Sequence, residues 1–133
     1  MGGFLVTCLA ERHDLAAVLI NPAVRPARLV TQWLGEAFVN DHTGEHFIVE
    51  AVHGEELAAL TPRQVSSQRY LLLLGSADET LDPADAFALY RGARTLIQPG
   101  GDHGFSSLAD HLPAIFAHGG YHLTPGAIAS QPR

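Results

Sequence analysis

The sequence predicts an α/β fold in which three parallel strands are flanked by helices. Three short segments have the composition of buried strands, namely residues 16–20, 69–74 and 94–98. Segments with a helical spacing of apolar residues separate these strands, and such alternation favours parallel pairing through right-handed crossovers. The 133 residues are enough for one domain. Residues 1–123 are expected to form it, followed by a disordered tail over 124–133 that has little apolar content.

The first element is predicted to be a helix that begins at the start of the chain. Its apolar residues recur at helical spacing and are expected to share one face: Phe4, Leu5, Cys8 and Leu9. No capping residue precedes this helix, which is unusual for the beginning of a structural unit. The strand over residues 16–20 follows, and Asn21-Pro22 ends it.

The middle of the chain is predicted to contain two helices separated by a polar loop. Residues 27–34 carry apolar side chains on one face, and Gly35 can end that helix in a left-handed conformation. Residues 38–46 are expected to form the loop. Residues 53–60 are expected to form the second helix, which Thr61-Pro62 ends.

The last part of the chain repeats the order of strand, loop and helix. After the strand over 69–74, Asp82 is predicted to cap a helix that has Pro83 at its first position. The strand over 94–98 leads into a glycine-rich loop, and a final helix is expected over residues 106–117. Ligands bind beyond the carboxyl ends of parallel strands, so the functional side chains are expected in these loops.

Composition and charge exclude several classes of function. The formal net charge is −6, and the 8 basic residues are all Arg and do not cluster, so nucleic-acid binding is not expected. A single Cys excludes an internal disulfide and a multi-cysteine zinc site. No apolar run approaches the roughly 20 residues of a membrane helix, so no membrane partner is expected. The N-terminus lacks the basic and apolar regions of a signal peptide, and the predicted compartment is the cytosol.

Asp78 and His103 are the candidate catalytic residues. Each follows a predicted strand, and an acid after one strand with a His after the next is the order of the second half of an α/β-hydrolase triad. The chemistry needs a His as general base and a carboxylate that orients its other ring nitrogen. Two plainer interpretations stay open. Asp78 can be a turn residue, although Asp82 already takes the capping role, and a His in a glycine-rich loop is often structural.

Three segments of the chain resemble the YqiA-like esterases, a small α/β-hydrolase family. They are VLINPAVRP at 18–26, LLLLGSADETLD at 71–82 and IQPGGDHGF at 97–105, and the resemblance extends to about Leu123. Ala77 departs from the family pattern, which usually has Gly before the acid. The resemblance implies the C-terminal portion of an α/β-hydrolase fold and hydrolysis of carboxylic esters or thioesters through a serine. It also implies Asp78 as the acid, His103 as the base, a small-molecule ester as partner and no cofactor.

The resemblance further implies a nucleophile elbow, G-x-S-[LM]-G-G, of which this chain carries only the end. Met1 falls on the position directly after the expected Ser, where an oxyanion-hole amide would lie. We expect the chain as written to be inactive, and both a misassigned start and a true truncation stay open. The alternative function is a non-catalytic α/β fragment that acts as an interaction module. Other candidate nucleophiles occupy unsuitable positions: Cys8, Ser66, Ser67, Ser76, Ser106 and Ser107.

The remaining polar candidates carry weaker indications. Asn21 and Arg25 lie in the loop after the first strand and are the candidate substrate-binding residues, although an ion pair with a nearby carboxylate is favoured for Arg25. Two histidine pairs have H-x3-H spacing, but glycines between their members argue against a helix that would align them. Solvated loop histidines are therefore favoured over a metal site, and no metal is expected: His42 with His46, and His118 with His122.

The first strand also predicts association between copies. If the strand that carries the nucleophile is missing, residues 16–20 form a sheet edge. Edge strands are usually protected from pairing by a Lys, an internal Pro or another charged residue, and this segment has none of them. Self-association through this edge is therefore expected.

Overall fold

The structure is a computed structural model that describes residues 1–121. Its helices are α1 (Gly2–His13), α2 (Pro26–Gln32), α3 (Ala51–Leu60), α4 (Pro83–Leu89) and α5 (Leu108–His118), and a short 3-10 turn covers Ser67–Arg69. Its strands are β1 (Ala17–Ile20), β2 (Ala37–Val39), β3 (His46–Ile48), β4 (Tyr70–Gly75) and β5 (Arg94–Gln98). The predicted disordered tail over 124–133 lies outside the described residues.

The three strands predicted from the sequence form one parallel sheet, which confirms the α/β class. The strand order is β1-β4-β5, so β4 is central and pairs with both neighbours. Residues 71–74 are all leucines and are buried, as expected of a central parallel strand with side chains packed on both faces. Because all three strands run in the same direction, their carboxyl ends meet at one edge of the sheet.

Helix α1 is present where it was predicted, but its buried face is a different one. Phe4, Thr7 and Ala10 are buried, whereas Leu5 and Leu9 are exposed. Thr7 tolerates burial because its hydroxyl donates to the Gly3 carbonyl at 2.8 Å and shares a 2.7 Å hydrogen bond with the Tyr90 hydroxyl. The apolar pattern alone therefore placed Phe4 correctly and was wrong for Leu5 and Leu9.

The predicted loop over residues 38–46 is wrong, because this segment belongs to an antiparallel hairpin. Strands β2 and β3 pair with Phe38 opposite Phe47. Asn40 organises the turn, where its side-chain oxygen accepts hydrogen bonds from the backbone N–H groups of His42 and Thr43. Both strands are exposed along their whole length. Neither strand has one buried and one solvated face, and their sequences lack the alternation of apolar and polar residues that indicates a strand.

Candidate active site

Two loops at the carboxyl edge of the sheet carry Asp78 and His103. Asp78 lies three residues beyond the end of β4, and His103 lies five residues beyond the end of β5. The two loops leave the sheet side by side, since Gly75 at the end of β4 pairs with Gln98 at the end of β5. Backbone hydrogen bonds then join them, one of which runs from the Ala77 N–H to the Gly101 carbonyl at 2.9 Å.

Asp78 and His103 form a hydrogen-bonded pair. His103 Nδ1 lies 3.0 Å from Oδ1 and 2.9 Å from Oδ2 of Asp78. The Asp78 side chain is 1% exposed, whereas the His103 side chain is 38% exposed. The predicted contact between these residues is confirmed, and their catalytic roles stay a prediction. In this geometry the carboxylate is shielded from solvent while part of the imidazole remains accessible.

The surroundings of Asp78 favour its ionised form. Burial raises the pKa of the Asp78 carboxyl, but the hydrogen bonds from His103 and from the N–H groups of Leu81 and Thr80 outweigh this effect. The pKa of Asp78 therefore lies below its ordinary value. Both N–H groups donate to Oδ1, at 2.8 Å from Thr80 and 2.9 Å from Leu81, so the carboxylate is held in a single orientation.

Glycine allows the His103 loop to fold back onto the end of β4. A Cβ atom at Gly75 would lie 2.8 Å from the Asp102 carbonyl oxygen and would overlap the Gly101 carbonyl. Gly101 is restricted less severely, because its own Cβ atom would lie 2.9 Å from Cγ of Gln98 and 3.1 Å from the Gly75 Cα atom. The two glycines thus permit the close backbone approach that brings His103 to Asp78.

Asn21 connects the ends of all three strands of the sheet. Its side-chain Nδ2 donates to the carbonyl oxygens of Asp102 and His103, each at 2.9 Å, and its Oδ1 accepts from the Gly75 N–H at 2.8 Å. The residue is buried and has a φ of 41°, a left-handed conformation that Asn tolerates better than most residues. Both amide hydrogens are used within the protein, so the observed role is to position the His103 loop. The predicted substrate contact of Asn21 stays a prediction.

Two further side chains support the same loop and were not identified from the sequence. Glu79 Oε2 accepts a hydrogen bond from the His103 N–H at 3.1 Å, and Ser76 Oγ accepts one from the Gly100 N–H at 2.8 Å. Both residues flank Asp78 in the loop after β4. Only that proximity in the sequence pointed to them, because their partners are backbone groups with no signature of their own.

No side-chain hydroxyl or thiol of residues 1–121 makes a hydrogen bond with His103 Nε2. The hydroxyl of Ser76 accepts from Gly100, and that of Ser66 donates to Glu11. The Cys8 thiol donates to the Leu60 carbonyl, and burial raises its pKa, which is the opposite of what activates a thiol nucleophile. The described part of the chain therefore holds an acid and a base without a nucleophile in contact with them.

Arg25 and Met1 lie close to this edge of the sheet. Arg25 is exposed directly before α2, and within residues 1–121 no carboxylate lies within 4.0 Å of it, so the favoured ion pair is absent. Met1 precedes α1, and its carbonyl accepts hydrogen bonds from the Phe4 and Leu5 N–H groups. The predicted roles of Arg25 in substrate binding and of Met1 in the oxyanion hole stay predictions.

The described residues contain neither a metal-ligand cluster nor a membrane-spanning helix. Over 1–121, no three His, Cys, Asp or Glu side chains come together in a group able to hold a metal ion. In the same part of the chain, no helix combines the length and the apolar character needed to cross a membrane.

Comparison with known families places the chain in one of them. The model of a family described as "Uncharacterised protein family (UPF0227)" matches residues 1–119. This match covers nearly all of the 133 residues, so the chain belongs to that family. Membership is consistent with the resemblance to the YqiA-like proteins, and it leaves the chemistry to be inferred from the site.

Proposed function

We propose that this member of the UPF0227 family carries the acid and the base of a serine-hydrolase-type esterase of the YqiA-like kind. The reaction is the hydrolysis of a carboxylic ester or thioester by acyl transfer. One observation supports this proposal above all, namely the buried Asp78 carboxylate on Nδ1 of a half-exposed His103 at the carboxyl edge of a parallel sheet. The cytosol is the proposed compartment, since a chain with a single Cys cannot form the internal disulfides that are typical of proteins in oxidising compartments.

In this arrangement His103 serves first as general base and then as general acid. An ionised Asp78 can only accept a hydrogen bond, so the ring carries its proton on Nδ1 and leaves a lone pair on Nε2. Nε2 takes the proton of the attacking hydroxyl, and Asp78 stabilises the imidazolium that forms. The same proton then passes to the leaving alkoxide or thiolate, and water attacks the acyl intermediate by the same route.

The attacking hydroxyl is the part of the mechanism that residues 1–121 do not supply. By the resemblance it belongs to a Ser directly before Met1, whose own position would contribute an oxyanion-hole amide. We therefore expect the 133-residue chain to be inactive toward esters. A chain extended upstream in the same reading frame through a G-x-S sequence is expected to be active.

The test measures hydrolysis of p-nitrophenyl butyrate by the 133-residue chain, by the extended chain and by the His103→Ala variant of each. Turnover is expected only from the extended chain with His103 intact. Its Asp78→Asn variant should lose about 10⁴-fold in kcat, because the ring then adopts the wrong tautomer. Turnover by the 133-residue chain that His103→Ala abolishes would reveal another nucleophile. Turnover by the extended chain that survives His103→Ala would overturn the proposal.

A non-catalytic role has one observation in its favour, the free edge of β1. Within residues 1–121, β1 pairs only with β4, and the side chain of Ile20 is 37% exposed. An unpaired strand edge is a template for another strand, and we propose a second copy of the chain as its partner. If this is the function, the extended chain hydrolyses no esters and association continues in the Asp78→Asn variant.

A further inference from the structure

An apolar groove of about 540 Å³ lies between α2, α3 and the β2–β3 hairpin. Its volume falls within the roughly 300–1,000 Å³ that is typical of small-molecule sites. Helices α2 and α3 form two walls with Leu29 and Leu57, and the hairpin forms the third with Phe38 and Phe47. Trp33, directly after α2, completes the lining on that side.

The aromatic side chains of the groove are held in place but not covered. Trp33 and Phe38 meet edge to face with ring centroids 5.9 Å apart, and Phe38 stacks on Phe47 at 5.7 Å. The three side chains are nevertheless 46%, 36% and 47% exposed, respectively. Contacts between the rings thus preform a wall whose apolar surface still faces solvent, so a ligand that covers it gains hydrophobic free energy without reorganising the wall.

The charges around the groove point to a neutral occupant. Glu45 is the one charged side chain among the described residues of the lining, which includes no Arg or Lys. The other titratable side chain, His53, already accepts a hydrogen bond at Nδ1 from the Glu50 N–H at the start of α3. A peptide segment would leave its backbone amides without partners in such a lining, whereas a hydrocarbon chain needs none.

The loop after β1 connects the groove to the candidate active site. Pro26 lines the groove and begins α2, only five residues after Asn21. Met1 lines it as well, and the neighbouring Gly3 packs so closely on Pro22 that a Cβ atom there would lie 2.6 Å from that ring. Since Asn21 donates to the carbonyl of His103, one loop holds the His103 loop at its first residue and lines the groove at its last.

We propose that this groove binds the unbranched acyl chain of the ester, so that the substrate class is an ester with an extended apolar acyl group. This inference rests on the proposed esterase function, but binding to the groove is measurable without any catalysis. In this arrangement the acyl chain packs against the aromatic wall, so that binding depends on acyl-chain length. The ester group lies toward His103.

The sole tryptophan of the protein, Trp33, reports occupancy directly. Its fluorescence is recorded while the 133-residue chain is titrated with neutral n-alkanols from hexanol to decanol. Saturable binding is expected, with affinity increasing about fourfold for each added methylene, equivalent to ~0.8 kcal/mol. A change that does not saturate, or an affinity that does not depend on chain length, would overturn the proposal.

Variants then localise the binding. Phe47→Ala removes one aromatic wall and should weaken decanol binding about tenfold or more. Leu57→Asn introduces a polar amide on the α3 wall with the same number of side-chain heavy atoms and should also weaken decanol binding. Phe87→Ala serves as the control, because Phe87 is an equally exposed Phe on α4 that lines a different surface depression. Undiminished binding in Phe47→Ala and Leu57→Asn would show that the alkanols bind elsewhere, and equal weakening in all three variants would show a general effect on the protein; either result would overturn the proposal. Loss of alkanol binding leaves the esterase chemistry intact, and loss of esterase activity leaves this binding intact, so the two failures are distinguishable.

Discussion

Replacing Asn21 tests whether one buried amide holds the two halves of the candidate site together. In Asn21→Gly the residue can still adopt a φ of 41° without strain, while all three side-chain hydrogen bonds are lost. The buried Gly75 N–H is left without a partner, which costs about 1–3 kcal/mol. The carbonyls of Asp102 and His103 are partly solvated and each lose about 0.5–1.5 kcal/mol of net stabilisation at most. The expected decrease in the free energy of unfolding is therefore about 2–6 kcal/mol.

Asn21→Ala separates backbone strain from hydrogen bonding. Alanine loses the same hydrogen bonds and adds about 1–2 kcal/mol, because its Cβ atom disfavours the left-handed conformation. Asn40→Gly is the matched control, since Asn40 also accepts hydrogen bonds from backbone N–H groups but does so in an exposed turn. Its cost should stay below about 1 kcal/mol.

The assay combines urea denaturation with ¹⁵N NMR of the His103 ring. In the unmodified chain the ring should show the Nδ1–H tautomer imposed by Asp78, and in Asn21→Gly this signature should weaken or average as the loop loosens. Asn40→Gly should leave it unchanged. If Asn21→Gly costs less than about 1 kcal/mol and leaves the His103 ring signals as they were, Asn21 does not position the loop.

Three further predictions concern the same edge of the sheet and its first strand. Gly75→Ala should displace the loop that carries His103 and remove the Nδ1–H signature in NMR, because the new Cβ atom overlaps the Gly101 carbonyl. Asp78 has a folded pKa below its ordinary value, so it stabilises the protein above its unfolded pKa of about 3.9 and loses that contribution as the pH falls through the folded value. Urea denaturation should accordingly show the stability advantage over Asp78→Asn at pH 7 and little of it at the lowest pH at which the chain stays folded. Light scattering at micromolar concentration should show self-association that Ile20→Lys reduces, and a stable monomer of the unmodified chain would contradict the proposed edge contact.

The sequence was most informative about the strands of the parallel sheet. β4 is buried along its whole length and differs from its prediction by one residue at each end, since a continuous apolar run bounded by turn residues marks such a strand. β5, which is only partly buried, matches its prediction at both ends. The exposed hairpin carries no such pattern. On α1, the buried Thr7 hydroxyl is satisfied by a hydrogen bond with Tyr90, 83 residues away, which no local spacing can reveal.

In the candidate site, too, some residues could be predicted from the sequence and others only from contacts between distant segments. Asp78 and His103 became candidates because each follows a predicted strand, a rule that needs only the order of elements, and the resemblance to the YqiA-like esterases then implied their roles. The positioning roles of Asn21 and Glu79 could not be predicted, because their partners are backbone groups that any residue possesses. Chemistry-bearing pairs are thus visible in the sequence, whereas the contacts that hold them become visible only in three dimensions.

The acid–base pair is built entirely from the loops at the ends of β1, β4 and β5. Asn21 comes from the first loop, Asp78 and Glu79 from the second, and His103 from the third. Catalysis by such a pair depends on its being organised before substrate arrives, so that little rearrangement is needed in the transition state. The contacts that hold Asp78 and His103 in these loops do not involve a nucleophile. The His103 tautomer in the 133-residue chain consequently measures the organisation of the site separately from turnover, and a disordered ring there would weaken the esterase proposal before any substrate is tried.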